Sequence, residues 1–375
     1  DGSIGRNVWN PTAKDSLAAI AWADRVVLTY DGSSGLAFTD ANAASIGLDA
    51  NLINYLRGDT SNNVDHTGGT YRVRSSLIGD IVHSAPFYYD GMVYIGANDG
   101  MLHVLNASTG VEEFAYVPKV VIDEGYLDDY ATPGYTHKFF VDNTVHVRDI
   151  GATNLLVGGL RKGGKGYYCL DVTDPTAITE GQANTVVKWE YTASGDDDLG
   201  YSYSRAYIVK TAAAGWVVIF GNGYGSVNEE AVLYVLDASA GTVVKKFYTG
   251  ATGCNGLSSP AVIDKEADGV ADYVYAGDLK GNMWKFDLTG NATADWEIAY
   301  EDASSVAQPL IQVNNENGGQ PITVEPDVMR MRCAAGQEGY FVVFGTGQYL
   351  SEDDFSITDT QTFYGVWDWQ DAWDA

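Results

Sequence analysis

Hydrophobic and polar positions fall into a unit that recurs along most of the chain. Val93–Gly96 is an apolar strand ending in glycine, a polar turn follows, and Met101–Asn106 is a second strand closed by asparagine. Tyr273–Asp287 repeats the arrangement, with its glycine at Gly277 and its closing residue at Asp287. Versions with longer turns run from Leu155 to Asp171, from Val217 to Asp237 and from Phe341 to Asp368. The marker glycines Gly96, Gly158, Gly221, Gly277 and Gly345 lie roughly sixty residues apart, somewhat more than a common propeller blade. Additional strands precede the pairs at Ser84–Tyr89, Ser204–Val209 and Ser259–Ile263, and others follow at Glu113–Val117 and Val243–Tyr248. Three to four antiparallel strands per unit predict an all-β fold of the β-propeller type with five clear blades. A parallel β-helix would show a shorter period, and a sandwich none.

Residues 1–80 are less regular. They read as an irregular N-terminal segment with one short helix, part of the propeller domain, while 81–375 carry the blades. Arg25–Tyr30 reads as a strand and Asp31–Gly35 as a turn. Ala41–Tyr55 places Ile46, Leu48, Leu52 and Ile53 at helical spacing. The chain opens at Asp1 in mid-pattern, as a piece of a larger protein would.

Composition narrows the partners. Of 375 residues 45% are hydrophobic, enough for a large core, and the 43 glycines and 25 tyrosines suit short strands joined by turns. A formal net charge of -28 argues against nucleic acid and against anionic lipid, since both require a basic face. No apolar run approaches a membrane span, so no membrane insertion is expected. Cys169, Cys254 and Cys333 lie far apart, permit one disulfide at most, and form no metal-type or redox-type pair.

The stretch Asp264 to Asp272 carries the strongest chemical signal. Asp264, Glu266, Asp268 and Asp272 occupy loop positions one, three, five and nine, and Gly269 occupies position six. Alternate oxygens of a tight loop suit Ca²⁺, a hard cation that takes six to eight oxygen ligands, and the Val270 carbonyl would supply a further one. Four carboxylates so close together repel one another unless a cation lies among them. Position twelve, which an EF-hand fills with a bidentate glutamate, is Tyr275, and the residues after the loop read as a strand. The expectation is a calcium loop inside a β-hairpin, with room for water among the ligands.

Other constellations carry less. Arg57-Gly58-Asp59 spells an integrin-binding tripeptide, but a helix C-cap at Gly58 accounts for it. Asp196-Asp197-Asp198 reads as a solvated acidic loop. The five histidines show no ligand spacing, and His103 and His146 alternate with apolar neighbours as structural residues do. Arg161–Gly166 is basic and glycine-rich but precedes a strand, so it makes no phosphate cradle. No nucleophile elbow, phosphate loop or zinc motif is present, and no enzymatic activity is expected.

Three combinations carry a family resemblance. Asn51–Asp59 followed by Gly79-Asp80-Ile81-Val82-His83-Ser84-Ala85-Pro86 resembles the opening of the PilC/PilY propeller domain. Leu199–Arg205 with Val217–Tyr224 resembles its middle, and Gly345–Leu350 with Gln361–Asp368 its end. The resemblance implies a modified seven-bladed propeller from a large secreted protein of the type IV pilus. It further implies roles in pilus assembly, in extension against retraction and in adhesion, an extracellular, pilus-associated location, and partners among minor pilins at the tip and on host surfaces. Carried over, calcium falls on Asp264, Glu266, Asp268, Asp272 and the Val270 carbonyl; the family loop has Asp where Glu266 stands. Asn98–Gly110 also resembles blade repeats of quinoprotein dehydrogenases, whose adjacent cysteine pair is absent here. A calcium-containing oxidoreductase and a stand-alone host adhesin are therefore the alternative readings.

Overall fold

The computed structural model describes residues 9, 12–315, 318–332 and 337–369. The chain divides into two compact units, residues 1–192 and 193–375. Each is built from blade-like antiparallel sheets, and the fold is a β-propeller.

In the first unit, β1 (Val27–Tyr30) and β2 (Gly35–Ala37) join β3 (Phe87–Tyr89), β4 (Met92–Gly96), β5 (Leu102–Asn106) and β6 (Glu112–Val117) in one six-stranded sheet. β1 pairs in parallel with β6, Val27 opposite Ala115 and Leu28 opposite Tyr116, so the irregular N-terminal segment completes the first blade. The second blade is β7 (His146–Asp149), β8 (Asn154–Gly159), β9 (Gly166–Asp171) and β10 (Val187–Thr192). The expected helix over 41–55 is broken. Gly47 turns left-handed at φ +87°, Asp49 caps a new helix by accepting from the N–H groups of Asn51 and Leu52, and Ala50–Arg57 ends at Gly58. A helix that periodicity did not reveal, Ala13–Ala19, is capped by Thr12.

The second unit holds β11 (Tyr207–Thr211), β12 (Gly215–Gly221), β13 (Glu230–Asp237) and β14 (Val243–Thr252) as one sheet. Next come β15 (Ala261–Ile263), β16 (Tyr273–Gly277), β17 (Asn282–Asp287) and β18 (Glu297–Ile298), with β19 (Ile311–Gln312) also on β17. After the ribbon β20 (Asn314–Asn315) and β21 (Gly318–Gly319), the last blade has β22 (Asp327–Arg332), β23 (Glu338–Gly345) and β24 (Phe363–Asp368). Among the described residues there are thus five blades and one ribbon. The count read from the glycine period holds, and the seven blades implied by the resemblance are not reached.

The repeat has a physical basis. At Gly96 and Gly221 a Cβ would collide with the carbonyl oxygens of Val141 and Ser258, so only glycine lets those backbones pass. The closing Asn or Asp residues pin the next turn: Asn106, Asp171, Asp237 and Asp287 each accept from backbone N–H groups two or three residues on. Burial follows the pattern, with Val217–Phe220 and Ala231–Leu236 inaccessible to solvent on both faces of the third blade.

Candidate metal centre

Asp264–Asp272 joins β15 to β16, which pair antiparallel with Ile263 opposite Tyr273 and Ala261 opposite Tyr275. The expected hairpin is therefore formed. Ala271 and Asp272 root it, their N–H groups donating to the carbonyls of Lys210 and Ile263 at 2.7 and 2.8 Å. Asp264 through Gly269 are exposed. Gly269 has φ +86° and Ala267 φ +59°, and the first of these demands glycine.

The four carboxylates do different things. Asp264 turns inward and accepts from the N–H groups of Asp268 at 3.1 Å and Gly269 at 2.7 Å. Asp268 accepts from Val270 N–H at 2.9 Å. Asp272 is buried and accepts from Lys265 N–H at 2.7 Å. Burial raises its pKa above the usual carboxylate range against that bond, and the charges of Glu266 and Asp264 raise it further, Glu266 lying within hydrogen-bonding reach. Glu266 and Asp272 therefore converge, with Asp264 near enough to be felt. Among the described residues no three His, Cys, Asp or Glu side chains are gathered into a ready cage. The donor set suits a hard cation: all oxygen, strongly anionic, on an exposed loop.

The C-cap account of the Arg-Gly-Asp tripeptide holds, with Gly58 N–H bonding the Asn54 and Tyr55 carbonyls, and the reading of Asp196–Asp198 changes. Arg57 of the Arg-Gly-Asp tripeptide is buried, donating to the carbonyls of Phe38, Ala23 and Arg25 and pairing with Glu180 at 2.5 Å. It is not displayed to a receptor. Nor is Asp196–Asp198 a solvated loop. Lys246 Nζ bridges Asp196 at 2.6 Å and Asp198 at 2.9 Å, and Tyr234, Tyr248 and Asn228 donate to the same carboxylates. Of the three cysteines, Cys169 is buried and Cys254 exposed, while Cys333 lies outside the described residues.

Sequence reasoning missed two charge clusters. In the first blade, His103 is enclosed between Glu112 at 2.6 Å and Asp99 at 3.0 Å, and Glu112 pairs in turn with Arg25 at 2.9 Å. In the second unit, Lys285 pairs with Asp368 at 3.0 Å, and the hydroxyls of Tyr275 and Tyr300 donate to the same carboxylate. Asp368 closes its repeat as the other acids do, yet its oxygens reach across to β16 and β17.

The comparisons with known proteins agree with this architecture. Residues 81–375 match the PilY1 beta-propeller domain. The Type IV pilus biogenesis factor PilY1 of Pseudomonas aeruginosa (strain UCBPP-PA14) is 35% identical over 86% of this chain and 31% of its own length. A Type IV pilus biogenesis factor PilY1 homolog of Xylella fastidiosa is 33% identical over 93% of this chain and 30% of its own length. The crystal structure of the Pseudomonas aeruginosa PilY1 C-terminal domain superposes with a TM-score of 0.61 at 36% identity, covering 74% of this chain and 57% of that one. This is a blade-built propeller domain of the type IV pilus class. The chain belongs to the PilY1 beta-propeller family, and it spans about a third of the length of the curated relatives it matches.

Proposed function

We propose that this domain is a calcium-binding module of a type IV pilus biogenesis protein that regulates pilus extension against retraction and supports adhesion. Ca²⁺ would be held by the carboxylates of Asp264, Glu266, Asp268 and Asp272 and by the Val270 carbonyl, with water completing the shell. The observation that supports this most is the crowding of Glu266 and Asp264 on buried Asp272, a repulsion that a cation would turn into attraction. By analogy with its relatives, the domain works outside the cell on the pilus, with minor pilins at the tip as partners and a host surface as a second contact. The oxidoreductase reading rests on blade resemblance alone, and nothing in the described residues adds to it.

Occupancy at the hairpin can bias which partner surface is presented, by no more than the difference in calcium affinity between the two hairpin states. The test is surface piliation and twitching in the source organism carrying Asp268→Ala or Asp268→Asn at equal protein level. Altered piliation in both strains is expected. Normal pili and motility with calcium binding abolished would reduce the ion to a brace for the hairpin.

A further inference from the structure

A cleft of about 180 Å³ opens beside the metal hairpin, walled by Tyr273, Tyr340 and Trp369 and edged by Lys265, Lys285 and Arg330. Tyr273 and Tyr340 meet edge to face with ring centres 5.9 Å apart, and Trp369 is 44% exposed. Lys285 is fixed by Asp368 and lies 4.5 Å from the centre of the Tyr273 ring. Glu338 is shared by two cations, Arg330 at 2.8 Å and Arg332. Lys265 pairs with the exposed Glu266 at 3.9 Å. In a chain of net charge -28, the cleft itself is lined by three cations, Lys265, Lys285 and Arg330, against two carboxylates, Glu338 and Asp368, with Glu266 and Asp272 bound to Lys265 beside it.

The geometry points to a binding site for one hexuronate unit of an acidic polysaccharide. The volume is below the roughly 300–1,000 Å³ of pockets for drug-sized ligands, so it takes one ring rather than several. The exposed Trp369 ring suits the C–H face of a pyranose, and the packed Tyr273 and Tyr340 form the floor. Lys265 and Arg330 are placed to share a carboxylate. Glu338 retains acceptor capacity for sugar hydroxyls and the tyrosine hydroxyls can donate or accept. An acidic peptide side chain would bring the carboxylate but no hydroxyls for these groups, and would face the repulsion of Glu338 and Asp368 without compensation. The cleft shares Lys265 with the hairpin but none of its four carboxylates, so binding here is measured without calcium.

The test is a titration of the chain, held in EGTA, with sodium D-glucuronate, D-glucose or N-acetyl-L-glutamate, followed by tryptophan fluorescence and saturation-transfer NMR. Glucuronate is expected to saturate with a Kd on the order of 1 mM. Lys265→Gln and Arg330→Gln should each weaken it about tenfold while far-UV circular dichroism stays unchanged, and glucose should not saturate in the same range. Failure of glucuronate to saturate, equal binding of glucose, or N-acetyl-L-glutamate binding as tightly as glucuronate would overturn the proposal. EGTA keeps these outcomes independent of whether the hairpin binds calcium.

Discussion

Arg330 donates from Nη1 to the carbonyl oxygen of Lys265 at 3.1 Å, tying β22 to the second residue of the acidic hairpin. Its other arm pairs with Glu338 on β23, so the last blade holds the hairpin from outside. Removing that grip should loosen the hairpin and leave the blades intact. Arg330→Gln is expected to raise hydrogen exchange across 264–272 several-fold with unchanged exchange in β16 and β17. Exchange by mass spectrometry checks this, and equal protection in the variant would show that the bond does not restrain the loop.

The enclosed His103 makes a second prediction. Burial alone would lower its pKa, but Asp99 and Glu112 override that and raise it to about 9. Burial likewise opposes ionisation of Glu112, and Arg25 and His103 reverse it, bringing its pKa down to about 2. A raised histidine contributes stability that is complete below its ordinary value near 6.5 and is lost as pH rises through about 9. The thermal midpoint should therefore fall between those values in the parent. His103→Leu should flatten that fall and lower stability by about 3–5 kcal/mol, because the carboxylates lose their buried partner. Denaturant melts of both proteins across this range provide the measurement.

The bridge from Lys246 to Asp196 and Asp198 predicts that the acidic loop is a structural strut. Lys246→Met leaves two carboxylates without their shared cation, and stability should drop by about 1–2 kcal/mol with increased exchange over 194–199. A variant as stable as the parent at neutral pH would return this segment to a solvated loop.

Blade organisation was legible because β-strands have a period of two and the strand-ending glycines at Gly96, Gly221 and Gly277 leave no room for a Cβ. The acidic hairpin was legible because its carboxylates lie within nine consecutive residues, and periodicity places such a loop between strands. Charge pairs were not. Lys285 and Asp368 stand 83 positions apart, and nothing in their neighbourhoods distinguishes them from the closing acid and strand lysine of any other blade. The Arg-Gly-Asp tripeptide was legible as a helix end: Gly58 caps Ala50–Arg57 as its position suggests, and the Arg57 side chain turns into the core. The helix over 41–55 failed at Gly47, where a left-handed residue outweighed the apolar spacing.

The account rests on the hairpin taking up Ca²⁺, and an equilibrium titration by calorimetry tests that most directly. One ion per chain is expected, with a Kd on the order of micromolar to millimolar for a site lacking the twelfth-position glutamate. Because the metal-free Asp272 carboxyl keeps its proton to a higher pH than an ordinary aspartate, uptake should release protons where that carboxyl is still protonated and strengthen as rising pH removes its proton. Asp268→Ala should abolish uptake while far-UV circular dichroism stays unchanged. No saturable heat in the parent, or the same isotherm in parent and Asp268→Ala, would contradict the account.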